Sequence, residues 1–91
     1  MASGAGVVTV EFFGPFRAFG KGTNVAIGGP VGYEGLLALL SSELGPEFDE
    51  RARRKNTTLI VNNRIAGRKN LEGLLIEPGD RVAFALLLGG G

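Results

Sequence analysis

Apolar and polar positions alternate along Val7-Val8-Thr9-Val10-Glu11-Phe12-Phe13, and the β-branched and aromatic content suits a half-buried strand that Gly14-Pro15 stops. Parity sets Val8, Val10 and Phe12 toward the core and leaves Val7, Thr9, Glu11 and Phe13 on the outer face. Residues 14–22 read as a loop carrying Phe16, Arg17, Phe19 and Lys21, and residues 23–27 as a short returning strand before Gly28-Gly29-Pro30. The period then changes. Tyr33, Leu36, Leu37, Leu40 and Leu44 recur at helical spacing, with Glu34 in the first turn and Gly45-Pro46 at the end, which predicts an amphipathic helix packed by one face. Residues 46–56 carry acids first (Glu47, Asp49, Glu50) and bases after (Arg51, Arg53, Arg54, Lys55), an order that suits the dipole of a short second helix pinned by Phe48.

Residues 57–61 are β-branched and predict a strand, Asn62-Asn63 a turn, and Ile65-Ala66 a brief partner strand. Leu71, Leu74, Leu75 and Ile76 lead to Pro78-Gly79-Asp80, where Pro fixes its φ and Gly supplies a positive one. Residues 81–88 form the last strand, with Leu86 on the core face beside Val82 and Phe84. This order predicts an α+β fold in which a mixed sheet packs on one main helix, long enough to serve as the crossover between strands.

Composition narrows the chemistry. Ninety-one residues argue for one domain, and 44% hydrophobic with 21% charged residues is ordinary for a chain that folds. The formal charge of +1 gives no overall field to recruit nucleic acid or an anionic membrane. The longest apolar stretches fall far short of the roughly 20 residues that span a bilayer. The opening Met-Ala-Ser-Gly-Ala-Gly has no basic region and no long apolar stretch, so residues 1–6 are expected to be a flexible lead-in and the protein cytoplasmic. Absence of Cys and His excludes zinc sites built on them, nucleophiles served by a His base, iron–sulfur clusters and disulfides.

The remaining motifs are weak. Gly14 to Lys21 imitates a phosphate-binding loop but has five residues between Gly14 and Gly20 where four are required, and Gly22 stands where the metal-binding hydroxyl belongs. The run Arg51, Arg53, Arg54, Lys55, with Arg64, Arg68 and Lys69 further on, lacks the interleaved aromatics that stack bases, and reads as a solvated face ahead of a partner patch. Glu47, Asp49 and Glu50 lie in the most polar stretch, where nothing predicts the burial that shifts a carboxyl pKa.

The terminus is different. Leu86-Leu87-Leu88 run into Gly89-Gly90-Gly91, and each glycine costs about 0.5–1 kcal/mol relative to alanine if held in regular structure. Six residues from Leu86 extend about 20 Å, and a glycine segment passes through a channel that admits no side chain. Such an end is either frayed or a slender carboxylate presented to a partner.

"VTVEFFGPFRAFG", "LIVNNRIA" and "IEPGDRVAFALLLGGG" together resemble the MoaD/ThiS family of β-grasp sulfur carriers, relatives of ubiquitin, over nearly the whole chain from residue 7 to 91. The closing segment is the most specific, since the family pattern is Gly-Asp-x-Val, a short apolar strand and a glycine end. In length, and in the polar segment after the helix, the chain resembles the small subunit of molybdopterin synthase more than the shorter thiamine sulfur carrier. The resemblance implies a β-grasp domain over residues 7–88 with a glycine tail at 89–91. It implies a carrier, not an enzyme, which binds no cofactor itself. A ubiquitin-activating-like adenylating enzyme would use ATP to adenylate the Gly91 carboxylate, and a sulfide or persulfide donor would displace AMP to leave a thiocarboxylate. A molybdopterin synthase large subunit or an equivalent acceptor would then take the sulfur. Gly91 would hold it, Gly90 would be the penultimate residue and Gly89 would extend the tail. Phe13, Leu87 and Leu88 are the candidates for docking on these partners, with edge packing as the plain alternative. A ubiquitin-like modifier joined through Gly91 to target lysines shares the adenylation step.

Overall fold

The structure, a computed structural model, describes residues 6–66 and 71–86. Strand β1 (Val7–Phe12) runs into a 3-10 helix (Gly14–Phe19) and returns as β2 (Gly22–Ala26). A two-residue strand β3 (Val31–Gly32) leads into α1 (Tyr33–Leu44) and α2 (Pro46–Ala52). The chain then forms β4 (Thr57–Val61), β5 (Arg64–Ala66), β6 (Leu75–Ile76) and β7 (Arg81–Leu86). Five strands make one mixed sheet in the order β2-β1-β7-β4-β5, with β1 and β7 parallel at its centre and the other neighbours antiparallel. A sheet that brings the first and last strands together and covers one face with a helix is the β-grasp fold, which bears out the α+β order read from the elements and the fold that the resemblance implies.

Parity is obeyed along the central strands. Val8, Val10 and Phe12 of β1, Val82 and Phe84 of β7 and Leu59 of β4 are buried against Leu36, Leu37 and Leu40 of α1. Phe48 of α2 is fully buried and does pin that helix. Its ring lies 5.2 Å from Phe84 at 78° and 5.3 Å from Phe19 at 83°, while Phe16 lies 5.6 Å from Phe84. Edge-to-face pairs of this kind add about 0.5–1.5 kcal/mol each beyond the area they bury.

Two expectations need correction, and one pairing adds to them. The segment 14–22 is not simply a loop: Pro15 stands in the first turn, the Phe16 N–H donates to the Phe13 carbonyl at 3.1 Å, and the resulting 3-10 helix drives Phe16 wholly into the core. α2 ends at Ala52, because the chain then tightens through Arg54 N–H to Arg51 O and Thr57 N–H to Arg54 O. Residues 31–32 and 75–76 form a separate two-stranded ladder, Val31 opposite Ile76, too short to leave a periodic signal.

The turns behave as their residues require. Asn62 (φ 51°) and Asn63 (φ 70°) close the β4–β5 hairpin, and Gly79 (φ 95°) follows Pro78 in the turn before β7. The two turns are stitched together. Asn62 Nδ2 donates to Asp80 Oδ1 at 3.1 Å, Asp80 Oδ2 accepts from the Glu77 N–H at 2.9 Å, and Asn62 Oδ1 accepts from the Arg81 N–H at 2.9 Å. The Thr9 N–H donates to Asp80 O at 3.0 Å and the Gly79 N–H to Val7 O at 2.7 Å, so the start of β7 is fixed from both sides.

Candidate functional site

The site is the far end of β7 with the sheet face that α1 leaves open. β7 runs parallel to β1, with Phe12 opposite Phe84, and antiparallel to β4, with Thr57 opposite Leu86. Its last described residue, Leu86, is half-buried between the end of β1 and the start of β4. Gly14 sits beside it: a Cβ built there would lie 3.8 Å from the Leu86 Cβ. On the other side Thr57 is held by its N–H to Arg54 O at 3.1 Å and its hydroxyl to Arg51 O at 2.9 Å.

Phe13 lies on the outer side, 41% exposed, as parity predicts. Its N–H donates to Phe84 O at 2.9 Å, which continues the parallel ladder by one bond and holds the ring beside the end of β7. Arg17 is the functional candidate that sequence reasoning missed. Its Nε donates to Phe12 O at 2.7 Å, and its guanidinium carbon lies 5.8 Å from the Phe13 ring centroid, a cation–π contact on an exposed surface. No sequence signal gives that pairing, because it depends on the 3-10 turn that folds Arg17 back over β1.

The open face is mixed: parity turns Thr9 and Glu11 of β1, Thr58 of β4 and Arg81 of β7 to it alongside apolar residues. Parity aims Ala83 and Ala85 of β7, Ile60 of β4 and Ile65 of β5 to this side, and Ile65 is 72% exposed. Small residues at Ala83 and Ala85 keep the centre flat. Their alternation with Val82 and Phe84 is visible in the sequence; that it faces outward follows once β7 is known to be central.

Of the other site residues expected from the sequence, Leu87, Leu88, Gly89, Gly90 and Gly91 lie outside the described residues. So do the expected lead-in at residues 1–5 and the cations Arg68 and Lys69. The acids of α2 are surface acids: Glu47 and Glu50 are exposed, and Asp49 accepts from Arg53 Nε at 2.9 Å. Arg53 also spans to α1, donating to both Glu34 oxygens at 2.6 and 3.0 Å. That pairing lowers the Glu34 pKa below its ordinary 4.5, chiefly through the hydrogen bonds from Arg53, and raises that of Arg53 through the bonds to Glu34 and then Asp49. Among the described residues no group of three or more His, Cys, Asp or Glu is placed to hold a metal ion, and no helix is long and apolar enough to cross a membrane.

No protein-family model and no curated protein matches the chain. Solved structures do. The Haloferax volcanii HVO 2177 protein, known from a solution structure, superposes with a TM-score of 0.75 at 18% identity, over 97% of this chain and 89% of that one. The thiamine biosynthesis protein ThiS from Geobacter metallireducens superposes with a TM-score of 0.55 at 20% identity, over 91% of this chain and 99% of that one. The chain shares their fold. At such identities the likeness is one of backbone architecture, and it spans nearly the whole of both relatives.

Proposed function

We propose that the protein is a sulfur carrier whose terminal glycine carboxylate is activated and converted to a thiocarboxylate. One observation carries the reading: β7, the central strand of a β-grasp sheet, reaches its end beside an exposed aromatic, and the sequence continues from there as Leu87-Leu88-Gly89-Gly90-Gly91. The likeness to Geobacter ThiS supports the carrier class in general.

The chemistry follows from the inventory of groups. A carboxylate is a poor electrophile, so Gly91 needs a leaving group. Attack of its oxygen on the α-phosphorus of ATP forms the acyl–phosphate bond and expels pyrophosphate. Hydrosulfide then adds to the acyl carbon and AMP departs with the original carboxylate oxygen, leaving the thiocarboxylate with no change in oxidation state at carbon. A persulfide donor would displace AMP to give an acyl disulfide, which a thiol must then cleave, leaving the thiocarboxylate and a disulfide between the thiol and the donor. The acid–base and nucleophilic groups belong to the adenylating partner, which suits a chain without Cys or His. The chain's own part is to present Gly91 at the end of a slender segment, to dock through Phe13, Leu87 and Leu88, and to keep the strand that carries them stiff.

Within this class we assign it to the molybdopterin synthase small-subunit kind, with a synthase large subunit as the sulfur acceptor, from its length and the polar segment after α1. The Geobacter likeness favours a second reading, a thiamine-type carrier. The test is incubation with a ubiquitin-activating-like enzyme, ATP and sulfide, followed by intact-mass spectrometry. Replacement of one oxygen by sulfur in the wild type, and none after removal of Gly91, is the expected result. An unchanged mass with an enzyme active on its own carrier refutes the proposal. Offering the product to a molybdopterin synthase large subunit and to a thiazole synthase then separates the two readings by which one removes the sulfur.

A further inference from the structure

Two successive phenylalanines part at the end of β1: Phe12 is wholly buried and Phe13 is 41% exposed. The backbone of Phe13 is held from both sides, its N–H donating to Phe84 O at 2.9 Å and its carbonyl accepting from the Phe16 N–H at 3.1 Å. Only the ring is left to choose a position. Arg17 stands where it limits that choice. The 3-10 turn that sends Phe16 into the core brings Arg17 back over β1, and its Nε donates to Phe12 O at 2.7 Å, at the level where the Phe12 N–H donates to Lys21 O. That bond is part-buried and ties one edge of the guanidinium to the backbone. The guanidinium carbon then lies over the Phe13 ring, 5.8 Å from its centroid. A planar cation tied at Nε and laid over an aromatic ring acts at two points at once, which an ammonium on a flexible stem does not reproduce.

We propose that Arg17 is a positioning residue, which holds the exposed Phe13 ring in the orientation in which it docks on the adenylating partner. The inference rests on the sulfur-carrier reading and adds how the docking anchor is set before the partner arrives. The reach of the terminus brings Phe13 into the contact. The five residues from Leu87 to Gly91 extend about 17 Å when fully stretched, and the bond from Phe13 to Phe84 keeps the ring at the base of that segment. A partner that holds Gly91 at a reacting centre therefore comes down over the end of β7, where Phe13 stands. An aromatic side chain already ordered in the free protein loses less freedom on binding, and aromatic anchors carry a large share of interface energy. The part played by the guanidinium is geometric: its charge needs no acid on the other protein.

The test is a double-mutant cycle in the thiocarboxylate assay, with the adenylating enzyme, ATP and sulfide, on wild type, Phe13→Ala, Arg17→Gln and the two together, with Arg17→Lys beside them. Thermal melts establish folding at the assay temperature. Phe13→Ala should raise KM for the carrier about tenfold and Arg17→Gln about threefold, each with kcat retained, as when binding is lost equally from ground and transition states. The double variant should match Phe13→Ala, because Arg17 then has no ring to hold. Arg17→Lys keeps the charge and should still lie near Arg17→Gln. If Arg17→Gln does not fold, Arg17→Lys with and without Phe13→Ala carries the same comparison. Wild-type KM in Phe13→Ala or in Arg17→Gln would overturn the proposal and leave the carrier reading intact. So would the same rise on Arg17→Gln in the Phe13→Ala background, which would mean that Arg17 meets the partner directly, and so would wild-type KM in Arg17→Lys, which would mean that charge alone counts. Failure of the wild type itself to gain sulfur would overturn both readings.

Discussion

The two ends of β7 are built from different materials. At its start, Asn62, Glu77, Gly79 and Asp80 fix the strand through short polar bonds among exposed groups, and β1 adds two backbone bonds. At its end the strand is buttressed from beneath by Phe84 against Phe12, Phe16 and Phe48, while the outer side carries an exposed Phe13 with Arg17 over its ring. The first end sets register and direction with hydrogen bonds between two turns. The second obtains stiffness from aromatic packing on one face, and so leaves the other face uncovered for contact. The proposed carrier role calls for both: a strand held in register, and an end that another protein can reach.

The comparison breaks most severely at Phe84. Replacement by alanine removes a fully buried ring that touches three others, and should cost about 3–5 kcal/mol in urea unfolding. Gly22→Ala should cost about 2 kcal/mol, because a Cβ there would meet the Val10 carbonyl of the neighbouring strand and β1 must shift at the end that supports Phe13. Asp80→Ala removes the acceptor shared by Glu77 and Asn62 and should cost about 1 kcal/mol. That loss is confined to the polar end, so sulfur loading of Asp80→Ala below its melting temperature should equal wild type. A large fall in loading would mean the two ends are not separable.

The smallest effect lies above the sheet, where Arg53 clamps α1 to α2. A carboxylate whose folded pKa is depressed contributes stability above its unfolded pKa and loses it as pH falls through the folded one. Glu34 should therefore stabilise at neutral pH, with the contribution fading as pH drops below the ordinary 4.5. Arg53, raised and always charged, adds no titration in the accessible range. Both groups are exposed, so the effect is small. Melting curves of wild type and Glu34→Gln should differ slightly at neutral pH and draw together as pH falls below the ordinary 4.5; a difference that grows toward acid would refute the clamp.

The features legible in the sequence were those with a period or a turn chemistry. Alternation located β1 and its outward Phe13, helical spacing located α1, and the Asn pair and Pro-Gly-Asp located two turns whose backbone angles agree with them. What escaped depends on contacts far apart in the chain. Phe16 looked like a loop residue because only the 3-10 turn directs it inward. The β3–β6 ladder needs strands over forty residues apart to meet, and two residues carry no pattern.

Intact-mass spectrometry of the chain after treatment with an adenylating enzyme, ATP and sulfide tests the central claim most directly. The account predicts that one oxygen is replaced by sulfur, in an ATP-dependent reaction that requires Gly91. An unchanged mass, with the enzyme shown to load its own carrier in the same mixture, would contradict it.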